Sequence, residues 1–278
     1  MTAAAKLAGF SAVLALVFGG AAFAGSRVDV HAGKPVAKAM GEMTAHGAAA
    51  AQAVRGLAVS DGGLTLELER TSAPRGRRFE LAFRIADRGG RTVRDFDVEH
   101  TKRMHFIVVR RDLTSFQHLH PVERADGTWS VPVELRDAGT YRVFADFSVD
   151  GKPRTLAADV AVDGELTSRP VPPPAPSVDV DGLRVSLTEG AAHAGQESEL
   201  GFEVTRAGKP VAIEDYLGAK GHLVALRQGD LAFLHVHPDE RSLRFMATFP
   251  TAGTYRLFLQ FKTNGRVHTA AFTQEVSR

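Results

Sequence analysis

The segment Ala138-Gly139-Thr140-Tyr141-Arg142-Val143-Phe144 recurs later in the chain as Ala252-Gly253-Thr254-Tyr255-Arg256-Leu257-Phe258. Upstream of each copy there is a second matching block. It runs from Met104-His105-Phe106 to His118-Leu119-His120-Pro121, and again, with identical internal spacing, from Gly221-His222-Leu223 to His235-Val236-His237-Pro238. Two matches in the same order indicate an internal repeat. The sequence therefore contains two copies of one domain.

Short runs of alternating apolar and polar residues surround these blocks, for example Leu64–Leu68 and Phe79–Phe83. A period of two, interrupted by Gly, Asp and Pro, is typical of antiparallel strands. The turn Asp137–Tyr141 before an apolar strand resembles the tyrosine corner of immunoglobulin-like sandwiches, which are about 100 residues long. We therefore predict an all-β fold of two tandem immunoglobulin-like (cupredoxin-like) β-sandwich domains.

A proline-rich segment separates the two copies, with prolines at positions 170, 172, 173, 174 and 176. This composition favours an extended, semi-rigid linker. The predicted organisation is a signal peptide or membrane-anchor helix over 1–24, a stalk over 25–56, sandwich domain 1 over 57–163, the linker over 164–177, and sandwich domain 2 over 178–278.

The N-terminus has the features of an export signal. A short basic region ends at Lys6, an apolar stretch covers Leu7–Phe18, and Ala22-Phe23-Ala24 fits a cleavage site. The apolar run to Ala24 is also long enough to remain as a membrane anchor. We therefore expect an extracytoplasmic protein, either secreted or associated with the cell membrane through this segment.

Composition narrows the possible chemistry. Thirty-four Lys and Arg stand against 32 Asp and Glu, and these charges are spread along the chain, so we expect no nucleic-acid partner. The chain contains no cysteine. Disulfides, thiolate metal sites and blue-copper centres are therefore excluded. Any metal ion must be bound by His, Met, carboxylate or backbone groups.

Six of the eleven histidines lie in the two repeated blocks. Each block reads as a β-hairpin, with two apolar runs around a polar break. Residues two apart on a strand share a face, so His118 and His120 lie side by side. A turn centred between positions 112 and 113 places His105 opposite His120, and the same register places His222 opposite His237. Three imidazoles then converge in each copy.

Such imidazole sets suit copper (Cu+ or Cu2+), with zinc as the alternative. Met104 and His100 are further candidate ligands in the first domain, where a thioether would favour Cu+. The two predicted ligand sets are His105, His118 and His120 in domain 1, and His222, His235 and His237 in domain 2.

The leader, the segment Leu57–Gly62 and the two histidine blocks together resemble a bacterial family of secreted or membrane-anchored proteins with YtkA-like or related immunoglobulin-like domains. Proteins of that family are associated with heavy metals, copper in particular. The resemblance implies a class of ligand rather than a reaction.

We therefore expect a non-enzymatic, extracytoplasmic metal-binding protein that buffers, senses or delivers the ion to a partner protein that the sequence does not identify. One alternative is a cell-surface interaction module whose histidines are structural. Another is an enzyme that uses a His-bound metal to activate water. The sequence shows no nucleophile elbow, phosphate-binding loop or fixed carboxylate pair that would support the enzyme.

Overall fold

The computed structural model describes residues 54–234 and 236–278, and for His237 the backbone only. The predicted leader and all but the end of the predicted stalk lie outside the described residues. Every regular element in the described part of the chain is a β-strand, which confirms the all-β prediction. Within these same residues, no helix is long and apolar enough to cross a membrane.

The first sandwich contains ten strands. They are β1 Ser60–Asp61, β2 Leu64–Leu68, β3 Ser72–Ala73, β4 Arg78–Ala86, β5 His105–Arg110, β6 Gln117–Leu119, β7 Val122–Glu123, β8 Trp129–Glu134, β9 Gly139–Val149 and β10 Lys152–Val162. One sheet has the order β1-β2-β4-β8-β7, and the other has the order β3-β10-β9-β5-β6. The two sheets enclose an apolar core in which Phe83 and Phe106 stack.

The second sandwich repeats this arrangement. Its strands are β11 Ser177–Val180, β12 Leu183–Glu189, β13 Glu197–Arg206, β14 Lys209–Pro210, β15 Gly221–Arg227, β16 Phe233–Leu234, β17 His237–Pro238, β18 Arg244–Thr248, β19 Gly253–Thr263 and β20 Arg266–Val276. One sheet runs β11-β12-β13-β18-β17, with β14 paired to β13, and the other runs β16-β15-β19-β20. Strands β15, β16, β19 and β20 thus correspond to β5, β6, β9 and β10.

Each sandwich contains the predicted tyrosine corner. The Tyr141 hydroxyl donates to the Asp137 carbonyl at 3.0 Å and accepts from the Asp137 N–H at 3.2 Å. The Tyr255 hydroxyl donates to the Thr251 carbonyl at 2.9 Å. Both tyrosine rings are fully buried. The two corners support the assignment of both halves as immunoglobulin-like sandwiches.

The two sandwiches pack against each other through the outer faces of the β5 and β15 sheets. A third apolar cluster lies between them, separate from the two sandwich cores. Phe116 of the first sandwich stacks on Phe258 of the second at a centroid distance of 4.0 Å, and Phe144 packs on Phe233 at 5.5 Å. Both faces of β5 and β15 are therefore covered.

The linker and the segment before β1 are bonded to the sandwiches. The Arg169 N–H donates to Asp112, and the Thr273 hydroxyl donates to the Pro172 carbonyl at 2.6 Å. The carbonyl of Arg55 accepts from the Phe233 N–H at 3.0 Å. These bonds, together with the shared apolar layer, hold the two sandwiches in one compact unit.

Candidate metal centre

The hairpin that carries the histidines of domain 1 has the predicted register. Strands β5 and β6 pair Phe106 with Leu119 and Ile107 with His118, which extends to His105 opposite His120. The second copy follows the same rule, because Ala225 pairs with Leu234. The predicted register is thus confirmed in the first hairpin. In the second it holds only near the turn, because the backbone of His237 pairs with Met246 of β18 in the other sheet rather than with His222.

His105, His118 and His120 form a compact triad at the end of this hairpin. One ring nitrogen from each residue lies within 4.8 Å of those from the other two. The closest approach, 3.0 Å, joins Nδ1 of His105 to Nε2 of His118. In a tetrahedral site with metal–nitrogen bonds of 2.0–2.1 Å, neighbouring nitrogens are roughly 3.3 Å apart. The triad is therefore close to the geometry that one ion requires.

In His105 and His118, the inner nitrogens are the two that meet at 3.0 Å, and the outer nitrogens are the other nitrogen of each ring. Both outer nitrogens lie against carbonyl oxygens. Nε2 of His105 lies 3.2 Å from the carbonyl oxygen of Glu99, and Nδ1 of His118 lies 2.8 Å from Oε1 of Gln260. A carbonyl oxygen only accepts, so both outer nitrogens carry the proton. The inner nitrogens of two neutral rings then present lone pairs to each other. A metal ion between them would use both lone pairs, and outer carbonyl partners of this kind are usual for metal-binding histidines.

Two imidazole nitrogens of the cluster are buried without a hydrogen-bond partner among the described residues, namely Nε2 of His120 and Nε2 of His222. Buried polar atoms are nearly always paired, with protein or with water. Each of these nitrogens can bind an ion when the proton of its ring lies on Nδ1.

The structure brings His100 and His222 to the triad as well. The His222 ring lies 6.0 Å from His105 and 5.0 Å from His100, measured between centroids. The sequence prediction placed His222 in a separate set with His235 and His237. His235 and the side chain of His237 lie outside the described residues. The predicted second set therefore stays a prediction, and the described residues show that His222 borders the triad of the other sandwich.

Met104 does not face the cluster, which corrects its place among the candidate ligands. Alternate residues of a strand point to opposite faces. The side chain of Met104 is 1% exposed and belongs to the core of the first sandwich, whereas His105 faces the second sandwich. The thioether is therefore directed away from the imidazoles.

Burial sets the protonation of the histidines. Loss of solvent lowers the pKa of His120 to about 4 and that of His222 to about 3. The pKa of His105 is also lowered, and that of His118 lies well below its ordinary value, again mainly because of burial. The rings are therefore neutral at pH 7, which is the form that binds metals.

A cavity of about 40 Å3 lies at the boundary between the sandwiches and is lined in part by His100, His105, His118 and His222. Asp146 borders it directly opposite His105 on β9, and burial raises the pKa of its carboxyl group. Its Oδ1 accepts from the Thr155 hydroxyl at 2.6 Å. The space is large enough for an ion with a bound water.

Sequence reasoning missed Asp146 and Gln260. The two residues occupy equivalent positions of the repeat, five residues after the corner tyrosines. In the structure Asp146 pairs with His105, and Gln260 pairs with His222, across the two central strands. Alignment of the two repeats, combined with the strand register, contains the signal that could have found them.

Fold and site together define a tandem immunoglobulin-like protein with a buried histidine cluster at the boundary between its domains. The family described as "Domain of unknown function (DUF8832)" matches residues 58–164 and 178–278, and the chain belongs to this family. No curated protein matches the chain.

Several solved structures match the chain at low sequence identity. The Escherichia coli adhesin FdeC is 14% identical, with 80% of this chain and 66% of that chain covered and a TM-score of 0.28. Escherichia coli alpha-2-macroglobulin is 11% identical, with coverages of 82% and 16% and a TM-score of 0.28. A titin fragment is 12% identical, with coverages of 76% and 96% and a TM-score of 0.21. The chain spans only part of the two bacterial proteins.

Proposed function

We propose that this protein binds a transition-metal ion outside the cytoplasm through His105, His118 and His120. Its role is to buffer, sense or deliver the ion rather than to catalyse a reaction. The extracytoplasmic location rests on the export-like leader in the sequence.

The observation that carries the proposal is the contact between Nδ1 of His105 and Nε2 of His118 at 3.0 Å. With both outer nitrogens donating to carbonyls, no proton is left for this contact while the rings are neutral. Protonating His118 would satisfy it, but burial opposes that charge. Exchanging the oxygen and nitrogen of the Gln260 amide would also satisfy the contact. Gln260 would then donate to Nδ1 of His118, and the proton of that ring would lie on Nε2, facing His105. An ion satisfies the contact and also provides a partner for the buried nitrogen of His120.

Copper is the proposed ion, with zinc as the alternative. Imidazole suits both ions, and a nitrogen site generally binds Cu2+ more tightly than Zn2+. With Met104 packed into the sandwich core, the described part of the cluster offers no thioether to favour Cu+. We therefore favour Cu2+ over Cu+ in this site.

Thermal unfolding with and without Cu2+ or Zn2+ tests the proposal. A ligand that binds the folded state raises Tm. We expect this rise in the wild type and its loss in the double variant His118→Asn/His120→Asn. The control is His193→Asn, because His193 is exposed and bonds Ser277 on the second sandwich. The metal-free stability of each variant is measured separately, since His118 also bonds Gln260 across the domain boundary. A metal-dependent rise that persists in the double variant would exclude the triad as the site.

A further inference from the structure

The histidine cluster contains residues from both sandwiches. His100, His105 and His118 border the cavity from the first sandwich, and His222 borders it from the second. Gln260, also of the second sandwich, accepts from His118. The cavity is therefore completed only when the two sandwiches are packed together.

The triad supplies three ligands, and His222 has the features of a fourth. Its side chain is 9% exposed, and the residue lines the cavity. Nε2 of the ring is buried and has no hydrogen-bond partner among the described residues, and this nitrogen binds an ion when the proton of the ring lies on Nδ1. A buried ring nitrogen without a partner, on a residue that lines the cavity beside the triad, is what a further ligand would provide.

We propose that His222 is the fourth ligand of the ion, so that a single ion joins the two sandwiches and tightens their packing. The proposal rests on the proposed function of the triad. The triad rings form the tightest group and His222 lies just outside it, so the His222 ring moves towards the triad when the ion binds. Four imidazoles then complete the site, with the tetrahedral arrangement of a structural centre when the ion is zinc and a more planar arrangement when it is Cu2+.

His100 is the rival fourth ligand, because it borders the same cavity and its ring lies 6.2 Å from His105. It comes from the first sandwich, so a site completed by His100 would not join the domains through the ion. The variants His222→Asn and His100→Asn are therefore a matched pair. They remove one imidazole each from the same cavity but differ in the sandwich that supplies it.

The first experiment counts the imidazoles around zinc in the full chain by X-ray absorption spectroscopy, with affinity measured by chelator competition. We expect four imidazoles in the wild type and in His100→Asn. In His222→Asn we expect three imidazoles and an affinity at least tenfold lower. His222→Gln is measured as a second variant, in case Asn at this buried position disturbs folding.

The second experiment measures amide hydrogen exchange in β15 and β19 of the second sandwich, with and without zinc. An ion bound to both sandwiches stabilises both and slows exchange in these strands. We expect slowing in the wild type and in His100→Asn, and its loss in both His222 variants. A triad that acts alone would leave the second sandwich much less affected.

The outcomes separate the two proposals. Three imidazoles in the wild type, or unchanged affinity and exchange in the His222 variants, would overturn the role of His222 and leave the triad standing. If His100→Asn rather than His222→Asn lowers the imidazole count and the affinity, the fourth ligand comes from the first sandwich, and the inference is equally overturned. If the wild type binds neither copper nor zinc, the proposed function fails, and the inference fails with it.

Discussion

His118 of the first sandwich donates its Nδ1 proton to Oε1 of Gln260 in the second, over 2.8 Å. The same Gln260 amide also contacts the Thr269 hydroxyl at 3.2 Å, through Nε2. The orientation of one proposed ligand in the first domain therefore depends on a side chain of the second. This dependence explains why a duplicated sequence motif need not form two independent sites.

Replacing Gln260 by Ala should weaken metal binding. His118 would lose the carbonyl that fixes its ring and its tautomer, and changes of this kind typically cost 10–100-fold in affinity. Chelator competition with copper or zinc measures the loss. The control is Gln117→Ala, which removes a neighbouring side chain that bonds only the Glu134 carbonyl in the described structure. Equal affinities in the two variants would show that Gln260 does not support the site.

Replacing Phe258 by Ala should weaken the packing between the sandwiches. The Phe258 ring is 3% exposed and stacks on Phe116, so its loss should reduce the free energy of unfolding by about 3–5 kcal/mol. Urea unfolding followed by circular dichroism should show separate transitions for the two domains. Phe202→Ala, inside the second sandwich core, should destabilise that domain without exposing the interface. A single sharp transition in Phe258→Ala would contradict the role of this ring in domain packing.

Replacing Tyr141 or Tyr255 by Phe should destabilise the sandwich that contains it. Each change removes a buried hydroxyl that donates to an upstream carbonyl, at an expected cost of about 1–3 kcal/mol. The two variants are replicates of one experiment, because the residues occupy equivalent positions of the repeat. Chemical unfolding measures the cost, and no loss of stability in either variant would show that the corners do not contribute.

The stability of the metal-free protein should decrease as the pH falls below about 6.5. Unfolded histidines titrate near pH 6.5, whereas burial lowers the pKa of His120 to about 4 in the folded protein. Between these values the unfolded state binds more protons than the folded state. The free energy of unfolding therefore decreases as the pH is lowered from about 6.5 to about 4. The variant His120→Asn should lose part of this dependence, and His193→Asn should keep it. Identical pH profiles in wild type and His120→Asn would contradict the effect of burial.

The sequence predicted the register of the first hairpin, and it predicted that the three histidines of the triad lie on the same face of that hairpin. Both follow from strand periodicity, which is a local property of the sequence. The sequence did not predict that His222 would approach the triad, since that contact depends on how the two sandwiches pack. One signal of this packing was present. Residues 105–110 are apolar on both strand faces except at the ends, and all six are buried. A strand that is apolar on both faces is typical of a sheet covered on both sides.

Met104 was a candidate because it precedes His105, and strand periodicity alone argues against it. Neighbours in a strand point to opposite faces, so a ligand at His105 directs residue 104 into the sandwich core. The observed burial of Met104 follows from this rule. Strand periodicity alone could not identify Asp146 and Gln260, because their positions beside the histidines depend on the pairing of β5 with β9 and of β15 with β19.

A crystal of the full chain loaded with copper, examined by anomalous diffraction at the copper absorption edge, tests the central claim most directly. We expect one strong anomalous peak in the cavity at the domain boundary, within bonding distance of Nδ1 of His105, Nε2 of His118 and a ring nitrogen of His120. A peak that lies elsewhere, or crystals that take up neither copper nor zinc in this cavity, would contradict the account.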